Sequence, residues 1–147
     1  MVKVSIIYYS RSGRTQALAD AIAEGVARVE GAESSSKRVD YATMYDLVDS
    51  DAVAFGSPNY FSYMAGPLKD FFDKGLGLRD KTTGKPCAAF TSGGGGSDTA
   101  LLSIERLMSS YKLEKVADGI ASAGDPNDED LEKCRNLGEK LAKAAKA

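Results

Sequence analysis

The chain has 147 residues, so we expect one domain with a single core spanning residues 1–147. Its 19 basic and 21 acidic residues are mixed and leave a formal charge of −2, which excludes the basic footprint of a nucleic-acid or membrane-surface protein. No apolar run reaches the length of a membrane span, and the N-terminus lacks a signal-peptide pattern. We therefore expect a cytoplasmic protein without nucleic-acid or membrane partners.

The sequence contains no histidine. A serine or cysteine nucleophile that relies on a histidine base is therefore excluded, and a zinc or iron site would lack imidazole ligands. Cys87 lies in a predicted strand and Cys134 on an apolar helical stripe, so both are expected to be small buried hydrophobic residues. We predict no metal site, and any chemistry must depend on a cofactor or on carboxylates.

A loop rich in hydroxyl residues joins the first predicted strand, residues 2–9, to an amphipathic helix. Amides at the start of a helix lack intrahelical partners and carry partial positive charge, so a phosphate is their natural ligand. Hydroxyls can add donors around a phosphate, and glycine lets the backbone approach it closely. The alternative is that Ser10 or Ser12 only caps the helix. The predicted anion loop consists of Ser10, Arg11, Ser12, Gly13, Arg14 and Thr15.

The middle of the chain predicts two further strands. After a turn at residues 31–36, residues 37–39 form a short polar strand, which is typical of a sheet edge, and residues 52–56 form a buried one. The loop at residues 57–63 carries three aromatic side chains where a surface loop would be polar. We expect these aromatics to contact a flat or apolar ligand, or else to fold back onto the core.

The second half of the chain repeats the alternation of strand and helix. Pro67 opens a helix, residues 87–91 form an apolar strand, and four consecutive glycines follow at 93–96. Such a run is costly unless the backbone needs unusual dihedral angles or must approach a ligand, and a flexible linker is the alternative. The last strand is expected within residues 113–123 and the last helix at residues 128–146. The apolar faces predicted for the middle helices consist of Leu68, Phe71, Phe72 and Leu76, and of Leu101, Leu102, Ile104, Leu107 and Met108.

Strands that alternate with helices predict an α/β fold with a doubly wound, five-stranded parallel sheet. The polar second strand fits the order 2-1-3-4-5, in which ligands bind at the carboxyl ends near the switch point between the first and third strands. The loops after strands 1, 3 and 4 converge there. One suits a phosphate, one offers aromatic surface and one offers backbone. The expected ligand therefore has a phosphate at one end and a flat ring system at the other.

Three segments resemble the flavodoxin-like family that binds flavin mononucleotide (FMN). Residues 10–15 are similar to its phosphate loop, residues 56–61 to its second flavin loop and residues 91–96 to its third. Residues 64–73 are especially similar to the branch of short flavodoxins and WrbA-like NAD(P)H:quinone reductases. The resemblance implies a flavodoxin-like three-layer sandwich in which FMN, and no catalytic side chain, carries the chemistry.

The resemblance also assigns FMN contacts to each loop. The first loop would hold the phosphate, backbone amides of residues 59–62 and 92–95 would meet the ring edge, and Tyr60 and Phe61 would flank the isoalloxazine. The implied cofactor-binding residues are Ser10, Arg11, Ser12, Gly13, Arg14, Thr15, Pro58, Asn59, Tyr60, Phe61, Ser62, Thr91, Ser92, Gly93, Gly94, Gly95 and Gly96.

Two functions fit this resemblance. One is an oxidoreductase that passes electrons from NADH or NADPH to a quinone-like small molecule, and the alternative is a carrier between redox partner proteins. Carriers of this family usually have a glycine where this chain has Ser62, and they tend to be strongly acidic, so these features favour the reductase. The chain is shorter than the WrbA-like reductases, which leaves its acceptor and its oligomeric state open, a homodimer included.

Overall fold

The computed structural model describes residues 1–94 and 97–147. Two short 3-10 helices lie within these ranges, at Val39–Tyr41 and Leu76–Lys81. The strands of the described residues are β1 (Val2–Tyr8), β2 (Ala32–Arg38), β3 (Ala52–Pro58), β4 (Pro86–Ser92), β5 (Glu114–Lys115) and β6 (Ile120–Ser122). The helices are α1 (Arg14–Ala27), α2 (Met44–Val48), α3 (Gly66–Lys74), α4 (Ser97–Ser110) and α5 (Asp128–Lys146).

All strands of the sheet are parallel. Their order is β2-β1-β3-β4-β5, and β6 also pairs with β4, so the fifth position is shared by two short strands. This arrangement confirms the α/β fold and the order 2-1-3-4-5. The register places Tyr8 opposite Gly56 and Gly56 opposite Phe90, so β1, β3 and β4 end side by side. The loops that follow these strands therefore leave the sheet at the same edge.

Helices cover both faces of the sheet. Alternate residues of β1 point to opposite faces, so Ile6 packs with α1 and α5, whereas Ile7 packs with α3 and α4. Both isoleucines are fully buried or nearly so, as is Phe55 in the second of the two cores. The result is the predicted three-layer sandwich, in which helices pack against the sheet from both sides. None of the described helices is both long and apolar enough to cross a membrane.

The structure corrects several predicted boundaries and faces. β2 begins at Ala32, so residues 32–36 are strand rather than turn, although they have the polar composition of an exposed edge. The predicted last strand is divided into β5 and β6 by residues 116–119. Leu76 follows the end of α3, and Leu102 points away from the core, so each is 60% exposed rather than part of an apolar face.

Candidate functional site

The first loop turns from β1 into α1 at Gly13. This residue has a φ of 95°, in the left-handed region that favours glycine, and a Cβ added there would meet no atom within 4 Å. The glycine is therefore required by the backbone turn, and the space in front of it is open. Ser10 is buried, and its Oγ accepts hydrogen bonds from the amides of Gly13 at 3.1 Å and Gln16 at 3.3 Å. Ser10 thus makes the helix-capping contacts that are the alternative to phosphate binding at this position.

Thr15 connects the first loop to the third. Its side chain is buried, and its Oγ1 lies 2.8 Å from the Oγ of Ser92 at the end of β4, with either hydroxyl able to donate. A buried hydroxyl pair of this kind fixes the spacing of the two elements that carry it. The start of α1 and the end of β4 are therefore held together directly beneath the loops.

Two arginines of the first loop lie at the mouth of the site. Arg11 and Arg14 both line a surface cleft, and Ser12 lies between them. The Nε of Arg14 is 2.9 Å from Oδ1 of Asp125, which belongs to the loop before α5. Both partners of this ion pair are solvent-exposed, so the pair contributes little to stability and leaves Arg14 able to exchange partners.

Arg38, at the end of β2, is a functional candidate that sequence reasoning missed. Its guanidinium donates to the carbonyl oxygen of Ser10 at 2.5 Å and lies 5.5 Å from the centroid of the Tyr9 ring. Tyr9 in turn meets Tyr60 edge to face, with ring centroids 6.4 Å apart. The signal for Arg38 was its place at the carboxyl end of a strand beside β1, which the short predicted strand at residues 37–39 obscured.

The second loop is a tight turn. The amides and carbonyls of Tyr60 and Tyr63 bond to each other in both directions, at 2.9 and 3.0 Å, and the central residues Phe61 and Ser62 have φ values of 55° and 64°. Both central residues are thus left-handed without being glycine, which is costly. The Oγ of Ser57 accepts the amide of Ala65 at 2.7 Å, which fixes the end of the loop.

The third loop approaches the second closely. The amide of Asn59 donates to the carbonyl of Ser92 at 2.8 Å, and a Cβ added to Gly93, whose φ is 115°, would lie 3.4 Å from Asn59. Thr91 and Ser92 are buried, whereas Gly94 is exposed. The predicted ligand residues Gly95 and Gly96 lie outside the described residues.

The three loops meet in one cleft of about 260 Å³. Its described lining consists of Arg11, Ser12, Arg14, Pro58, Asn59, Tyr60, Ser92 and Gly93. The first loop supplies guanidinium groups and a helix start, and the second and third supply an aromatic ring and exposed backbone. Ser10, Thr15 and Thr91 lie beneath this lining, while Phe61 is fully exposed at the tip of the second loop. The donor set fits a ligand that joins an anionic group to a flat ring.

The two cysteines do not offer a reactive thiol near neutral pH. Burial raises the pKa of Cys87 and of Cys134 to about 12, so both thiols stay protonated near neutral pH. Both are free and buried, as the sequence predicted. Within residues 1–94 and 97–147, no three acidic or cysteine side chains are grouped to hold a metal ion.

Comparisons with known proteins agree with this geometry. The family model described as Flavodoxin matches residues 6–138. A flavodoxin from Aquifex aeolicus is 36% identical over 97% of this chain and 86% of its own length. The structure of a flavodoxin from the domain Archaea matches with a TM-score of 0.90 and 27% identity, covering 99% of this chain and 100% of that one. A flavodoxin, WrbA-like protein from Agrobacterium tumefaciens, with a TM-score of 0.81 and 22% identity over 99% of this chain and 98% of its own, shares the fold alone. The chain therefore belongs to the flavodoxin family of FMN-dependent redox proteins.

Proposed function

We propose that this chain binds FMN in the three-loop cleft and carries electrons between redox proteins. The observation that supports the proposal most strongly is the composition of the cleft. Arg11, Arg14 at the start of α1, Tyr60 and Gly93 line the same cleft. A phosphate joined to a flat ring system requires this combination. Bound FMN would supply the electron-accepting chemistry that the side chains lack.

The carrier is better supported than the quinone reductase that the sequence favoured. The curated relative that is 36% identical is named a flavodoxin, and nothing in the comparisons supports NADH or NADPH as donor. The presence of Ser62 instead of glycine also no longer favours the reductase. Ser62 has a φ of 64°, so the backbone conformation for which related carriers use glycine is already present in this turn.

Each loop has its own proposed role. The amides at the start of α1, together with Ser12 and the two arginines, would hold the phosphate, and Arg38 and Ser10 would keep that loop in shape. Tyr60 would contact the ring, and the amides of residues 59–62 and 92–95 would meet its edge. Phe61 at the ring remains a prediction, because its side chain points to solvent in the structure.

An anaerobic titration of the FMN-loaded protein tests the carrier. Absorbance is followed during reduction with dithionite, and in a separate sample with NADH and then NADPH. For a carrier we expect two separate one-electron steps with dithionite and no reaction with either nicotinamide.

Direct two-electron reduction by NADH or NADPH would contradict the carrier function and support the reductase function instead. Failure of the unloaded chain to take up FMN, measured by quenching of flavin fluorescence, would overturn the assignment of all three loops. Riboflavin serves as the matched ligand, because it has the same ring system without the phosphate.

A further inference from the structure

The strand β2 forms one edge of the sheet, where its neighbour in the described order is β1. Its seven residues pair one for one with those of β1, so the register is continuous and contains no bulge. Bulges and prolines are common protections of exposed edges, and the segment 32–38 contains no proline either. The exposed residues of the strand are Glu33, Ser34, Ser36 and Lys37. β2 is therefore a regular edge strand that is open to solvent.

The hydrogen bonds to β1 show which backbone groups of β2 face outward. The amide of Val2 in β1 donates to the carbonyl oxygen of Gly31 at 2.9 Å, so the backbone of Gly31 faces β1. Successive residues of a strand direct their amide and carbonyl groups to opposite sides. Residues 33, 35 and 37 therefore also face β1, and the amides and carbonyls of Ser34 and Ser36 point away from the sheet. They present donors and acceptors to a further strand.

The sequence of β2 is self-complementary when two copies run antiparallel. Residues directly opposite each other then share one orientation of their backbone groups, so Ser34 of one copy can exchange hydrogen bonds with Ser36 of the other. This register is centred on Ser35 and places Glu33 opposite Lys37, with Cβ atoms about 4.5–5.5 Å apart. Opposite charges at such positions stabilise strand pairing. Centring the pair on Ser34 or Ser36 would place Ser35 opposite a charge instead.

The charged and aromatic groups beside this edge are accessible to a partner. The Nζ of Lys37 lies 2.9 Å from Oδ1 of Asp46, yet the lysine side chain is still 44% exposed. An ammonium group has three donors, so it can serve a second carboxylate as well. The same ion pair holds α2 beside β2, where Tyr45 is 63% exposed, and Tyr41, between the two elements, is 77% exposed. These rings add apolar surface near the edge.

We propose that β2 is an interaction surface for a second copy of this chain. The two strands would pair antiparallel about a two-fold axis at Ser35, and Glu33 would face the partner's Lys37. Stable interfaces bury about 1,200–2,000 Å², more than a single seven-residue edge offers, so we expect a weak and reversible dimer. The inference does not depend on the proposed cofactor or on the carrier function.

Sedimentation velocity of the whole chain without added cofactor, from about 10 μM to 1 mM, tests the dimer. We expect the sedimentation coefficient to rise with concentration from that of a monomer toward that of a dimer. Glu33→Lys and Lys37→Glu each place like charges opposite each other twice in the dimer, so each should raise its dissociation constant about ten- to thirtyfold. An equimolar mixture of the two variants should dimerise like the unaltered chain, because every charge again faces an opposite one.

Ser36→Pro tests the backbone pairing independently of charge. It removes an amide that points away from β1, so circular dichroism should show a folded chain while dimerisation is lost. Glu114→Lys is the matched control, since it makes the same charge change at an exposed residue of β5, the last strand in the sheet order. It should leave the dissociation constant unchanged.

Three results would overturn the proposal. They are a monomer at every concentration, a mixture of Glu33→Lys and Lys37→Glu that dimerises no better than either variant alone, and an equal loss of dimer in Glu114→Lys. Because FMN is absent from these experiments, a separate FMN titration distinguishes failure of this inference from failure of the proposed function.

Discussion

Gly13 shows how one residue shapes the anion loop. Its φ of 95° is left-handed, and open space in front of it means that Gly13→Ala would introduce strain without a clash. Such strain costs about 1–2 kcal/mol. We therefore expect Gly13→Ala to raise the FMN dissociation constant by about tenfold, measured by fluorescence quenching. Gly77→Ala is the control, because Gly77 has equally open space but no positive φ. Unchanged FMN binding in Gly13→Ala would show that the first loop does not contribute to the binding site.

Asp46 provides a pH-dependent contribution to stability. Burial alone would raise the pKa of its carboxyl group, but hydrogen bonds from the Thr43 amide at 2.8 Å and the Lys37 ammonium at 2.9 Å outweigh burial and lower it below 3.8. A lowered pKa stabilises the fold above the unfolded value, and this contribution is lost as pH falls through the folded value. Asp46→Asn should therefore cost about 1 kcal/mol of unfolding free energy at pH 7.

Urea denaturation at several pH values measures this contribution. The difference between Asp46→Asn and the unaltered chain should stay constant from neutral pH to about pH 5 and shrink below pH 4. Asp51→Asn is the control, because it removes the same charge at an exposed position. Asp51 accepts a hydrogen bond from the Lys3 amide at 2.8 Å but does not cap a helix. A difference that persists unchanged at pH 2 would assign the effect to packing instead of charge.

At the scale of elements, α1 and α5 pack so closely that glycine is required. A Cβ added to Gly138 would lie 2.1 Å from the carbonyl oxygen of Ile22, and one added to Gly25 would lie 1.8 Å from that of Arg135. Glycine to alanine inside a helix normally stabilises by about 1 kcal/mol. Here backbone atoms cannot move aside, so Gly138→Ala should destabilise by about 3 kcal/mol in urea denaturation. A stabilised variant would show that the helices can separate without cost.

The elements that the sequence predicted best were those with strong local signals. The apolar runs of β1, β3 and β4 and the periodic stripes of α1 and α5 depend on nearby residues alone. β2 was placed too late because an exposed edge strand can be built from serine and charged residues, which have low strand propensity. The spacing of Leu102 predicts a core face, but the side chain points away from the core and is 60% exposed.

The candidate site was predictable in position but not in its contacts. Topology alone places three loops at one edge, and the cleft lies there. Two contacts of the site join residues that are far apart in the chain. The hydroxyl pair of Thr15 and Ser92 spans 77 positions, and the contact of Arg38 with Ser10 spans 28, so no local sequence pattern predicts them. The left-handed turn at Phe61 and Ser62 runs against residue preference, so the sequence gives no local signal for it.

At the scale of the whole molecule, net charge and local charge oppose each other. The chain carries −2, and the phosphate of FMN carries about −1.5 to −2 at neutral pH, so long-range repulsion would make binding tighter as salt is added. Arg11 and Arg14 line the cleft itself, within the range over which charges remain unscreened. We expect their attraction to outweigh the repulsion.

FMN binding should therefore weaken as salt is raised, and Arg11→Gln should both raise the dissociation constant and flatten its dependence on salt. Arg14→Gln should have a smaller effect, because Asp125 already shares that guanidinium at 2.9 Å. By the same reasoning Asp125→Asn should tighten binding, since it releases Arg14 for the phosphate. Fluorescence titrations of the three variants over a range of salt concentrations measure these effects. Riboflavin lacks the phosphate, so its binding should change neither with salt nor in any of the three variants. If FMN bound independently of salt in every variant, the arginines would face solvent and the phosphate would be held by amides and hydroxyls alone.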